Sequence, residues 1–594
     1  MRNVTAVTVT AALAVSIITA ASGSAQSAAR FTASTEVIAS RVTDHAEKAG
    51  RREVLLTKEE IQALPVHDIT ELLAALPGVG LTRRGAFGAQ ADLNLRGSTF
   101  EQTLVLVNGV RIGNSQTGHH DLDLFIPLAA VERVEILYGP GSAAHGSGAF
   151  GGAINIVTGV PFPTAHIGAG SHGLATGGVA SPLGAGSWVA GERTVQTGFR
   201  DDTESSVNQA AAGWGWRSGA RSFEVSAAGG ERHFGAWKFY SDAYPLERER
   251  TSGALVVARA QLPVGSLNLR PYLRADHHRD TFILDRGRPD WYRNLHLTRS
   301  YLAGAGLSRD RGAWRWTAGA EASHDDIDSS NLGRHRRLRQ AIYGELGWFG
   351  DRATADLQLR VDHQQSWGTV TTLAGGGWWD LGHGLSLRLH HGQSFRAPSF
   401  TELYYSSPAT VGNPLLGPER GRTSEIGLDG GGWSLTVFRR RAHSLIDYLL
   451  GDDGVWRATN LGRLTTGGVE AAFQLPAAGL LRWQRLSLEW LHSSVDVDRS
   501  RSAYALAHPR LEMAWTGAVD LGGAWSGGWT ARLRDPNDGS AWTTLDLRLG
   551  RRILGPTTLT VEAANVFDRH ITELHGIPLP GRWLSLRLDW RGGR

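Results

Sequence analysis

From Pro161 to the C-terminus, apolar and polar residues alternate in short runs. Leu357–Gln358–Leu359–Arg360–Val361, Leu385–Ser386–Leu387–Arg388–Leu389 and Leu545–Asp546–Leu547–Arg548–Leu549 are three of them. Leu584–Ser585–Leu586–Arg587–Leu588–Asp589–Trp590 nearly ends the chain. Successive strand side chains point to opposite faces, so each run has an apolar face and a face of Arg, Asp, Gln or Ser. Charge recurring on one face of strand after strand predicts a large barrel with a wet interior and lipid outside, rather than a soluble sandwich. At about 20 residues per strand with its share of loop, the region accommodates about 22 strands, the size class with a plugged lumen. Trp214, Trp216, Trp314, Trp316, Trp378 and Trp379 fall near strand ends, as an interfacial belt requires. His233–Arg250 and Arg279–Thr298 read as long external loops.

Upstream the grammar differs. Thr57–Lys58–Glu59–Glu60 is a capping box, and Asp68–Ile69–Thr70–Glu71 repeats it ahead of Leu72, Leu73 and Leu76. Short strands follow at Asp92–Arg96, Thr103–Val107 and Val110–Ile112. The last two are joined by Asn108–Gly109, the strongest short hairpin signal. Residues 51–159 therefore form a compact α+β module, with residues 160–594 as barrel. Near the module's end, Gly146–Ser147–Gly148–Ala149–Phe150–Gly151 matches G-x-G-x-x-G. A dinucleotide loop must open a helix. Here β-branched Ile154–Asn155–Ile156–Val157–Thr158 follows, and Pro161–Ala185 lacks the acidic residue expected about 20 positions on. These glycines read as a tight turn between strands.

Residues 1–25 read as a secretory signal peptide: Arg2, an uncharged stretch from Val4 to Ala21, then Gly23–Ser24–Ala25. Residues 26–50 form an arm with an extended patch at Thr35–Ser40. No later segment is apolar enough for a spanning helix, while a closed barrel satisfies its backbone in lipid. With no cysteine, thiol chemistry and disulfides are excluded. A net charge of +4, dispersed along the chain, gives no footprint for nucleic acid. Neither G-x-S-x-G nor H-E-x-x-H occurs, so no enzyme class is indicated.

"LPGVGLTRRG", "LNLRGSTFEQTLVLVNGVRI" and "AAVERVEILYGPGSAAHGSGAFGGAINIVT" in the module resemble the plug of TonB-dependent outer-membrane receptors. "SFRAPSFTELYY", "GNPLLGPERGRTSEIGL" and "EAANVFDRHITELHGIPLPGRWLSLRLDW" resemble their barrels. The resemblance implies an all-β transmembrane fold, a 22-stranded antiparallel barrel around an N-terminal α+β plug, in the Gram-negative outer membrane. It implies a non-catalytic monomer, seated among outer-membrane lipids, that takes a bulky small molecule from outside. Inward release is driven by TonB with its ExbB–ExbD motor. The TonB box matching the family's is Thr35, Glu36, Val37, Ile38, Ala39 and Ser40, which would bind by strand addition. Arg96 with Glu425 or Glu470 matches the family's plug–barrel latch. Many members carry Arg before the Gly–Pro pair where this chain has Tyr138, leaving a second latch arginine unaccounted for.

The loop stretches Phe234–Thr251 and His277–Thr298 look most similar to cobalamin-receptor-like members, with ferric-siderophore receptors and a non-energised porin or adhesin as alternatives. A nearly neutral, amphipathic corrinoid suits aromatic and amide contacts. Trp237, Tyr240, Tyr244, Trp291, Tyr292, Tyr404 and Tyr405 are candidate walls. Phe87, Gln90, Asn114, Gln116, His119 and His120 are candidate plug contacts. His119–His120–Asp121–Leu122–Asp123 has metal-binding residue types, but adjacent residues rarely face one ion together, and His277–His278–Arg279–Asp280 reads the same way. His324–Asp325–Asp326–Ile327–Asp328 with Asn331 could supply calcium oxygens but lacks an EF-hand's pattern. No cofactor and no metal site is assigned.

Overall fold

A computed structural model describes residues 50–593, except 77, 84, 86, 87, 241, 242, 476, 497–501, 505–507, 537–539, 575 and 576. The signal segment, the Thr35–Ser40 patch and Phe87 lie outside the described residues.

The N-terminal module is built on the strands β1 (Glu53–Leu56), β2 (Val79–Arg83), β3 (Ala91–Leu95), β4 (Thr103–Val107), β5 (Val110–Ile112), β6 (Val131–Tyr138) and β7 (Gly152–Thr158). Five form one sheet in the order β1-β6-β7-β4-β5, with β4 and β7 parallel, and β2 pairs with β3. The helices α1 (Lys58–Ala63) and α2 (Ile69–Ala74) pack on it. Thr57 and Glu60 complete the capping box of α1. Asp68 caps α2, but Glu71 turns its carboxylate to His67 N–H at 2.9 Å, so the second box stays half-formed. The hairpin turn has Asn108 at φ 50° and Gly109 at φ 77°, as a two-residue turn of that type demands. Leu56, Ile61, Leu72, Leu73, Val105, Ile136 and Ile154 pack into one core, which the wall residues Ala190, Leu255, Val257 and Leu302 join.

Among the described residues, 22 strands from Thr164 to Arg591 close into an antiparallel barrel around this module. Closure pairs the last strand with the first, Ser585 opposite Gly170. The strands are long where the sequence alternates. Along Trp314–Ser329, Thr317, Glu321, Ser323 and Asp325 are buried inside, while Ile342, Leu357 and Leu584 on other strands are exposed outside. That is the polar-in, apolar-out pattern of a barrel in lipid. Tight turns such as 265–266 and 312–313 mark one end; the loops 236–247, 284–292 and 397–418 mark the other. Short turns face the periplasm in such barrels, so the long loops are external. The six belt tryptophans lie toward the short-turn end, with Trp214, Trp216, Trp314 and Trp379 exposed. The external loops are shorter than the sequence suggests. His233–Gly235, Arg248–Arg250, Arg279–Ile283 and Arg293–Thr298 continue the strands, because their alternation extends the ladder beyond the membrane.

The glycine-rich segment carries a four-residue helix, α3 (Ser142–His145), before the turn into β7. A Cβ at Gly151 would stand 2.6 Å from the Leu95 carbonyl, and one at Gly146 would strike Arg360. Close packing against plug and wall is what these glycines permit.

Candidate functional site

Two features join the module to the barrel and to the outside. The first is an ion-pair cluster in the lumen. Arg96 follows β3 with φ 53°, which turns its side chain to the wall. Its Nε and Nη2 donate to the two carboxylate oxygens of Glu470, each at 2.7 Å, and Nη1 donates to Glu425 at 2.5 Å. Arg52 Nη1 reaches the same Glu470 at 2.9 Å. All four side chains are buried. Two guanidinium groups thus face two carboxylates, and the fork geometry is the strong bidentate kind. Burial by itself disfavours the Arg96 cation, but Glu470 and Glu425 outweigh that and hold its pKa above the ordinary arginine range. The Arg96 guanidinium also lies 4.5 Å from the Phe438 ring centroid. Arg440 donates to the carbonyls of Arg96 and Gly97, both at 3.1 Å.

Arg52 is the residue that sequence reasoning missed. It precedes β1, and β1 pairs with β6 so that Glu53 faces Leu137. One step further, Tyr138 N–H donates to the Arg52 carbonyl at 3.2 Å. A guanidinium is therefore delivered beside Tyr138 from a distant segment. Only strand register could have revealed it.

Polar contacts continue around the wall. Arg51 donates to Gln358 at 3.0 Å, Gln102 to Glu419 at 2.7 Å, and Arg111 pairs with Glu321 at 3.2 Å. His67 stands between Glu71 at 3.0 Å and Glu562 at 2.7 Å. Burial opposes its protonation, yet the two carboxylates raise its pKa to about 10. The module meets the barrel through these charges and also through apolar packing: Leu255, Val257 and Leu302 of the wall join its core, and Phe150 packs with Leu445, Leu461 and Leu464.

The second feature is the external mouth. Tyr240 OH lies 3.0 Å from both Gln90 Oε1 and Glu249 Oε2, with its one proton shared between these acceptors, joining loop, plug and wall. The Tyr240 ring packs edge-on against Phe282 with centroids 5.1 Å apart, and Tyr292 lies 6.5 Å from the same Phe282. Tyr244 and Trp291 pair at 5.6 Å, and Tyr405 interacts with the Tyr292 hydroxyl. Tyr240, Tyr244, Trp291, Tyr292 and Tyr405 thus share one side of the mouth. Trp237 turns away to Arg200, 4.1 Å from its ring centroid. Tyr404 closes the helix α4 (Phe400–Tyr404) and stacks on His335 at 3.6 Å.

On the plug, the Asn114 side chain accepts from Gln116 N–H at 2.9 Å, and the backbone carbonyls of Ser115 and Gln116 support the start of α4. His119 turns to Asp92 at 2.6 Å and stacks on Phe100, while His120 points the other way. Asp325, Asp326 and Asp328 alternate along their strand. Asp325 meets Arg337 and Arg339, Asp326 meets Arg299 and Arg336, and Asp328 meets Arg334, so these carboxylates do not converge.

Comparisons with known proteins agree with this architecture. A family model described as "TonB-dependent Receptor Plug Domain" matches residues 45–153, and one described as "TonB dependent receptor-like, beta-barrel" matches residues 284–566. The vitamin B12 transporter BtuB of Photobacterium profundum is 25% identical over 561 residues, covering 87% of this chain and 88% of the relative. That of Vibrio vulnificus is 24% identical over 568 residues, covering 88% of each. A solved structure of a mutant of the ferric enterobactin receptor PfeA of Pseudomonas aeruginosa superposes with a TM-score of 0.77 at 18% identity, covering 94% of this chain and 100% of that one. The siderophore receptor PirA of Pseudomonas aeruginosa gives 0.73 at 19%, covering 91% and 99%. At these identities the structural likenesses speak to fold.

Proposed function

Since the chain belongs to the TonB-dependent receptors of the outer membrane, we propose that it captures cobalamin or a related corrinoid and passes it to the periplasm using TonB-transmitted energy. The observation that carries this reading is the likeness to vitamin B12 transporters over 87–88% of the chain. The mouth suits such a ligand. A large, nearly neutral, amphipathic molecule gains from broad aromatic area with a few polar tips, and Tyr240, Tyr244, Trp291, Tyr292 and Tyr405 supply that on one side. Gln90 on the plug adds an amide below them.

In this reading no bond is made or broken in the ligand, and the work is mechanical. Thr35–Ser40 adds as a strand to TonB, whose motor is ExbB–ExbD, and the pull acts on a plug held to the wall by buried ion pairs and by apolar packing. Water entering the lumen can take over the released charges. The receptor acts as a monomer.

Titration of tryptophan fluorescence in the detergent-purified receptor tests the ligand. Saturable quenching by cyanocobalamin at micromolar concentration or below, with none from ferric enterobactin, is the expected result. Quenching by the ferric siderophore alone would replace the corrinoid with an iron chelate.

A further inference from the structure

We propose that the receptor holds a divalent transition-metal ion of the zinc class where the plug meets the barrel wall, with His120 Nδ1, Asp123 Oδ2 and His278 Nε2 as its ligand atoms. Neither parent segment has a metal's spacing. The fold supplies it by laying a plug loop against the inner face of the strand Leu267–Ile283.

His120 closes a single 3-10 turn, Gly118–His120, and Asp123 N–H donates back to the His120 carbonyl at 3.0 Å. This compact turn brings the imidazole and the Asp123 carboxylate to one side, with Nδ1 and Oδ2 3.3 Å apart. On the wall, His278 and Asp280 are two residues apart and both face inward, while His277 and Arg279 face out. His278 Nε2 lies 2.9 Å from the same Asp123 oxygen, and the two imidazole centroids are 4.7 Å apart. The three ligand atoms lie within 4.8 Å of one another. Ligands about 2.0–2.2 Å from a tetrahedral zinc stand about 3.3 Å from each other, so little movement is needed.

Three further observations point to a cation. His120 Nδ1 is buried with no hydrogen-bond partner among the described residues, although the Asp123 oxygen is near. Asp280 Oδ2 stands 3.6 Å from the other nitrogen of His120 and accepts from Gln116 Nε2 at 3.2 Å. A carboxylate behind the far nitrogen is the support that metal-bound histidines use. Asp123, Asp280 and Glu249 place three carboxyl groups around His120, whereas Arg232, paired with Asp123 through its other oxygen, is the one arginine there. Two imidazoles with carboxylate favour zinc, cobalt or nickel over calcium or magnesium, which prefer oxygen alone. Such an ion would tie the plug to the wall just below the mouth, at the external end of the lumen.

The test uses the detergent-purified, untagged receptor after treatment with chelator, titrated with zinc(II) by calorimetry and with cobalt(II) by its visible absorption. One equivalent of zinc is expected, with tetrahedral-type cobalt bands. His278→Gln and Asp123→Asn should each weaken binding at least tenfold, Asp280→Asn by roughly 10–100-fold as a supporting group, and Asp326→Asn should change nothing. Heat-modifiable migration on gels shows whether each variant keeps its barrel. Absence of stoichiometric zinc binding overturns the proposal and leaves a protonated His120 as the cation. Undiminished binding in well-folded His278→Gln, or loss in Glu249→Gln with Asp123→Asn unaffected, overturns the ligand assignment.

Discussion

The guanidinium of Arg52 lies 4.7 Å from the centroid of the Tyr138 ring, within cation–π range, and reaches past it to Glu470 at 2.9 Å. The charge beside Tyr138 comes from the segment preceding β1, and the tyrosine ring is the surface that the charge lies on. The plug–barrel contact sets two arginines, Arg52 and Arg96, against two glutamates, Glu425 and Glu470.

Arg52→Ala should therefore loosen the plug without touching the barrel. Glu470 keeps its bidentate bond to Arg96, so the loss is that of one charge-assisted hydrogen bond, about 1.5–3 kcal/mol. Chemical denaturation followed through plug-specific amide exchange should show that loss in β1 and β6. The double change Arg52→Ala with Tyr138→Arg should recover a large part of it. No recovery would mean that Arg52 acts through something other than Glu470.

At the mouth, Trp291→Ala should weaken corrinoid binding about tenfold, in keeping with loss of one stacked or edge-packed aromatic. Trp291 is half exposed and pairs with Tyr244 and Arg288, so barrel stability should be unchanged. Trp237→Ala, whose ring faces Arg200, should have a smaller effect. Equal effects of the two would place the ligand elsewhere on the mouth.

His67 gives a pH signature. Its folded pKa is raised to about 10 by Glu562 and Glu71, against burial, from the ordinary value near 6.5. Asp68 beside it and His166, Glu192 and Ser585 on the wall add to its polar surroundings, and Arg548 and Arg587 share Glu562 with it. A raised pKa stabilises fully below the unfolded value, declines between about 6.5 and about 10, and vanishes above. The stability difference between the native receptor and His67→Gln should follow that course in denaturation experiments from pH 6 to 10.5. A difference that grows with pH would contradict the ion pair.

The barrel was legible because its inward and outward faces are written at period two, as in Leu584–Trp590, and the capping box at Thr57 and the Asn108–Gly109 turn carry their own local chemistry. Arg96, Glu425 and Glu470 were legible only through resemblance, since they lie hundreds of positions apart. Arg52 and the meeting of His120 with His278 were not legible. Each depends on which strand or loop lies beside which, and no single stretch records that. The loop boundaries were misjudged because the ladder continues beyond the membrane wherever alternation persists, as at Arg279–Ile283.

The most direct test of the account is uptake of labelled cyanocobalamin by receptor-deleted Gram-negative cells expressing this chain, with and without residues 35–40. Energised uptake by the full chain is expected, with uptake abolished and surface binding retained when the six residues are removed. Uptake that survives the deletion, or a full chain that binds and imports no corrinoid, would contradict it.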